Sequence, residues 1–319
     1  MLKIATLAGI GAIICASVAF ADDRNSTQRF DEAFQDPSSL SNSAILSLWG
    51  GGILIQTGET DFDDGSILTF GGDARSYFGL SDGRGVQWEL STLYEDDADG
   101  DADIHPTVDV TGGAHLITRG GAADYGLFTA ISYATHNDER ADSIHIIGGV
   151  EASTFRDMTQ YFVQFGAQFA VGGGLWEGYK EGDKATWEEG IFGSIGARHF
   201  QTENAALLAQ ATVGGLGTWN SEGYQSSKNS TIWAQAVLEY EHEIDGLGLS
   251  GFVGYQGDYS YDYTTPRWSD TLLNHAIKIG LRKNFGAGET AYSLAKNGAG
   301  TFSLPDLHTP FSYTDDLLQ

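Results

Sequence analysis

Cysteine, proline, positive charge and long apolar runs are all scarce in this chain, and each scarcity excludes something. The only cysteine, Cys15, lies in the N-terminal leader, so the rest of the chain has no disulfide and must draw its stability from sheet closure and packing. Beyond the leader no apolar stretch approaches the roughly 20 residues that a spanning helix needs, which excludes a helical inner-membrane protein. Only 17 Lys and Arg stand against 43 Asp and Glu, a net charge of −26. Such a surface repels phosphate, so nucleic acid is excluded as a partner. Acid-rich composition also accompanies disorder, but 41% hydrophobic and 12% aromatic residues are too many for a chain unable to bury a core. Five prolines beside 43 glycines point to a mainly β chain.

Residues 1–21 carry Lys3, an apolar run from Ile4 to Ile14 and Ala19-Phe20-Ala21, the small-x-small form that signal peptidase accepts. They are expected to be a cleaved export signal, since the run is too short to span a bilayer and Asp22-Asp23 follow at once. Ile14 before Cys15 disfavours lipidation, which needs a small residue there. Residues 22–44 are polar and aperiodic and are expected as a periplasmic N-terminal segment.

The clearest pattern is in Asn274 to Phe285, NHAIKIGLRKNF. Ile277, Ile279, Leu281 and Phe285 share one side of a period-2 strand, and Lys278, Gly280, Arg282 and Asn284 share the other. About twelve segments alternate in this way. In one of them Tyr161, Val163, Phe165 and Phe169 oppose Gln160, Gln164 and Gln168. The connections sort by length: those after even strands are short, among them Ser81-Asp82-Gly83-Arg84, and those after odd strands are mostly longer, up to Gly172–Thr186. A barrel whose short turns lie on one side of a membrane and whose longer loops lie on the other requires this sorting, and a soluble sandwich does not. The expectation is an all-β fold, a transmembrane antiparallel up-and-down β-barrel of about 12 strands over residues 45–285.

In these strands, in the Tyr and Trp residues near their ends and in the terminal Phe285, the chain resembles porin-like outer-membrane β-barrels of Gram-negative bacteria. Phe285 is similar to the closing aromatic used by the barrel-assembly machinery. The family normally ends there, whereas this chain runs on through residues 286–319, expected as a periplasmic C-terminal tail. The resemblance implies an outer-membrane location, contact with outer-membrane lipid, assembly by that machinery and passage of small hydrophilic solutes.

With the polar faces taken as the lumen, the inward charges are Asp73, Glu89, Asp109, Glu151, Glu188, Glu239 and Glu241 against Arg75, Arg119, Arg198, Lys278 and Arg282. They form either a constriction that sorts solutes or an internal ion-pair network that fills a narrow barrel. The longer loops put Asp61, Asp63, Asp64, Asp97, Asp99, Asp101 and Asp103 at the outer mouth, where their field favours cations. The run from Glu95 to Asp103 echoes a calcium loop but has Pro106 in the place of the bidentate Glu, so an EF-hand is excluded and no metal or cofactor is expected. His105 and His136 lie near Asp103 and Asp138 without any local catalytic motif, and an enzyme is not expected. Two functions stand: a weakly cation-preferring channel for passive diffusion, and a plugged barrel serving as a structural or surface-binding protein.

Overall fold

The computed structural model describes residues 42–57, 65–80, 83–97, 107–120, 122–135, 143–173, 187–219, 230–244, 247–262, 271–286 and 290–304. Residues 1–21, most of 22–44, His105, His136, Asp138 and the acids Asp61, Asp63, Asp64, Asp99, Asp101 and Asp103 lie outside these. The strands are β1 Ser43–Thr57, β2 Gly65–Gly79, β3 Arg84–Asp97, β4 Thr107–Arg119, β5 Asp124–Thr135, β6 Ser143–Arg156, β7 Thr159–Gly173, β8 Trp187–Thr202, β9 Ala205–Trp219, β10 Ser230–Ile244, β11 Leu249–Asp262 and β12 Thr271–Gly286. Each pairs antiparallel with its sequence neighbours, and β1 pairs with β12 from Ser43↔Gly286 to Thr57↔Leu272. Closure leaves no free edge, so every strand satisfies its backbone groups on both sides, as a lipid-embedded sheet must.

The alternation in the sequence becomes the two faces of this wall. Leu48, Leu127, Ile195, Val213 and Ile279 point outward and are exposed, Ile279 at 65%, whereas Gln87, Thr212, Gln164 and Ser194 point inward and are buried. A soluble protein would bury the first set and expose the second. The reversed polarity is that of a barrel with lipid outside. Every short connection lies at one end and every long one at the other, since β1 starts and β12 finishes at the short-turn end. Positive φ at Gly83 and Asp157 supports the first and third of these short turns. β11 starts at Leu249, after Gly248, which holds φ +57.

Two glycines allow the wall to close and the chain to leave it. At Gly51 any Cβ would collide with the main chain of Ile277 on β12, so the closing seam depends on the missing side chain. Gly286 holds φ +101 where β12 ends, a conformation that a residue with a Cβ resists. Beyond it comes the helix α1, Ala291–Asn297. Thr290 caps it by accepting a hydrogen bond at Oγ1 from the Ser293 N–H, 3.1 Å. Residues 286–319 were expected as a periplasmic C-terminal tail. Within them residues 290–304 pack against the barrel, with Leu294, Ala295, Ala299 and Phe302 all buried.

Candidate functional site

The interior is built from the inward positions of twelve strands, and it divides into a side occupied by residues 290–304 and a side occupied by paired charges. Helix α1 lies at the short-turn end. Its Tyr292 N–H donates to the Glu203 carbonyl in the β8–β9 turn, 3.0 Å, and its ring meets Phe200 edge-on at 5.2 Å and Phe155 at 5.8 Å. The helix ends where Gly298 and Gly300 both donate to the Leu294 carbonyl. At Ala299 the N–H donates to Ser43 Oγ on β1, 3.0 Å. From there the chain follows the inner wall.

Wall side chains hold this segment chiefly by its main chain. Gln160 Nε2 donates to the Thr301 carbonyl, 2.8 Å, Gln87 Nε2 to the Phe302 carbonyl, 2.8 Å, and Gln164 Nε2 to the Ser303 carbonyl, 2.7 Å. Arg198 donates to the Gly300 carbonyl at 3.3 Å and Arg119 to the Lys296 carbonyl at 2.6 Å. In the opposite sense, the Leu304 N–H donates to Glu89 Oε2, 2.9 Å. Apolar contacts complete the fit: Phe302 and Leu294 pack with Ile45, Tyr77 and Ile117, and Leu304 packs against the cluster of Phe128, Ala130, Ile147, Phe192 and Trp233. Phe302 also stacks on His115 with ring centroids 6.4 Å apart. That histidine stands between two carboxylates, Nδ1 at 2.8 Å from Glu151 Oε1 and Nε2 at 3.5 Å from Glu89 Oε2.

The second side is an ion cluster. Arg282 on β12 donates from Nε to Ser47 Oγ, 3.1 Å, and from Nη1 to Glu239 Oε1, 3.0 Å, and to Glu241 Oε2. Its guanidinium lies over the Phe252 ring at 4.7 Å. Arg75 pairs with Asp73 at 3.2 Å and faces Glu89 at 3.7 Å. Higher in the barrel Lys278 donates to Gln256 Oε1, 3.1 Å, and sits 4.6 Å from the Trp49 ring centroid. Near the short turns Arg119 pairs with Asp124 at 2.9 Å.

Of the inward charges read from the sequence, Asp73, Arg75, Glu89, Asp109, Arg119, Glu151, Arg198, Glu239, Glu241, Lys278 and Arg282 all occupy inward positions. Glu188 lies in β8 and Asp97 at the end of β3. The structure brings Asp73, Arg75 and Glu89 together, and likewise Arg282, Glu239 and Glu241. It adds buried acids that had not been counted among the inward charges, Glu95 and Asp258. It also adds the glutamines and the inward apolar residues Ile45, Ile117, Phe128, Ile147, Phe192 and Trp233. Their signal in the sequence was weak: an apolar residue on a polar face only breaks a period-2 pattern, and nothing local says that a partner will cover it.

No protein-family model matches the chain, and no curated protein matches it. In fold it is similar to an outer-membrane channel from Pseudomonas putida F1, with 9% identity, a TM-score of 0.50 and coverage of 77% of this chain and 96% of that one. The Pseudomonas putida toluene transporter TodX (8% identity, TM-score 0.40, 78% and 92% covered) and the NanC porin (11%, 0.42, 74% and 98%) are more distant barrels. At such identities the likeness concerns architecture alone. With that channel the chain shares its fold, here a closed twelve-strand antiparallel β-barrel with a polar interior.

Proposed function

We propose that this protein is an outer-membrane channel for small hydrophilic solutes with a weak preference for cations. The observation that carries the proposal is the inner wall: it is lined by glutamines, hydroxyls and charges that a barrel needing only to fill itself could replace with apolar residues at no cost in desolvation. Acids outnumber bases on that wall among the described residues, with Asp73, Glu89, Glu95, Asp109, Glu151, Glu239, Glu241 and Asp258 against Arg75, Arg119, Arg198, Lys278 and Arg282. The loop acids, Asp61, Asp63, Asp64, Asp97, Asp99, Asp101 and Asp103, add to the same sign at the long-loop end. In this reading residues 1–21 are removed on export, the barrel-assembly machinery inserts the barrel, and the short-turn end faces the periplasm.

Residues 290–304 favour a second reading, a permanently plugged barrel with a structural or surface-binding role. Conductance across planar bilayers separates the two. Discrete open-channel steps with a reversal potential on the cation side in a KCl gradient support the channel. Silence of the native protein and of variants with a weakened plug supports the structural barrel.

A further inference from the structure

The short-turn half of the inner wall holds the main chain that follows helix α1, from Gly300 to Leu304. We propose that this hold is reversible: the segment of residues 290–304 is a stopper that leaves the wall as a unit and returns, while the barrel stays intact. The proposal rests on the channel reading for its purpose, and its labelling test is independent of that reading.

Three features point to release. First, the stopper shares no ladder with the sheet, since β1 pairs directly with β12 along the whole seam. The barrel therefore needs no strand from the segment in order to stay closed. Second, Arg119, Arg198 and Glu89 also bond to the segment, but three of its main-chain carbonyls are held by long neutral amides, Gln87, Gln160 and Gln164. Water can replace each such bond when the segment withdraws, so each one contributes little net stability. The wall left behind keeps polar groups, the three glutamines among them, beside the apolar patches that Phe302 and Leu304 cover. Third, the stretch Gly298-Ala299-Gly300-Thr301, between the anchors Tyr292 and Leu294 on one side and Phe302 and Leu304 on the other, presents main chain and small side chains to the wall. On the opposite side of the interior Arg282 joins two strands of the wall, β12 and β10, to each other through charge-assisted bonds.

The test uses the full chain carrying Cys15→Ala, which leaves no native thiol, and Ser303→Cys as reporter. Ser303 contributes its carbonyl to the wall, and its side chain is half-buried. The probe is a maleimide bearing a polyethylene glycol chain too bulky to enter the barrel beside the stopper. Labelling in lipid vesicles should proceed slowly to completion, and Gln87→Ala, Gln160→Ala and Gln164→Ala together should accelerate it about tenfold or more. Heat-modifiable migration on gels checks that each variant keeps its barrel, and Gln160→Met alone, expected to act in the same direction, serves if the triple variant does not fold. Labelling that is absent in all folded forms and appears only on denaturation would overturn the proposal, as would a rate indifferent to the glutamines.

A second arm locks the stopper in a chain with native glutamines. A Cβ at Gly298 would lie 3.3 Å from Ser43 Cβ, close to the separation that a disulfide bridges. In Ser43→Cys/Gly298→Cys, oxidation should suppress channel openings and reduction should restore them. Channel openings that are present and equally frequent in both states would overturn the stopper. Accelerated labelling together with bilayers silent in every form would uphold release and remove the channel reading instead.

Discussion

Replacing Arg282 with methionine tests whether the ion cluster is a structural necessity of the wall. The arginine is shared by Ser47 on β1 and by Glu239 and Glu241 on β10. Methionine keeps much of the packing over Phe252, so the loss is mainly electrostatic. It leaves two carboxylates on one face of β10, two residues apart, without the cation between them. One of them, Glu241, is buried, with an Oε1 that already has no hydrogen-bond partner. Removing one member of a buried pair costs about 3–5 kcal/mol, because the charge left behind has neither water nor partner. Equilibrium unfolding in urea from lipid vesicles should show this as a lower midpoint with an unchanged slope. The diagnostic step is the double variant. Adding Glu241→Gln removes one of the stranded charges and should recover about 1 kcal/mol or more of the loss, a coupling that independent sites do not show. Stability of Arg282→Met within about 0.5 kcal/mol of the native protein, or no recovery in the double variant, would refute the assignment of this cluster as a tightly paired element.

On the outer surface Ile279 lies midway along β12 with its side chain 65% exposed, and Ile279→Arg should cost about 2–4 kcal/mol in a bilayer. The same substitution at an inward position such as Gln256 should not follow that depth dependence, which comparison of unfolding midpoints will show. Replacing Asp97, Asp99, Asp101 and Asp103 by Asn should reduce cation preference at low salt and have little effect near molar salt, where the screening length falls to about 3 Å; reversal potentials in KCl gradients measure both. A tag inserted at Asp99 should be detected on intact cells and one at Gly246 should not, and the reverse labelling would invert the orientation.

By itself the sequence determined the wall. A period-2 alternation fixes which side of each strand is apolar, and a slip of one residue would turn every side chain to the wrong solvent. That is why strands from β1 to β12 could be placed from residues such as Tyr161 to Phe169 and Ile277 to Leu281. It is also why the inward charges could be named before their partners were known. Closure was legible too, because loop lengths that alternate short and long leave few other topologies. What only the tertiary structure decided is how the interior is filled. Arg282 finds Glu239 and Glu241 across strand boundaries set by barrel register, and register is a property of the closed sheet. Ile45, Ile117 and Phe128 look like flaws in a polar face until Phe302 and Leu304 cover them from more than 150 residues away. The segment that does so has no periodicity of its own, since a chain laid against a wall takes its conformation from the wall's hydrogen-bonding groups and not from a repeat in its sequence.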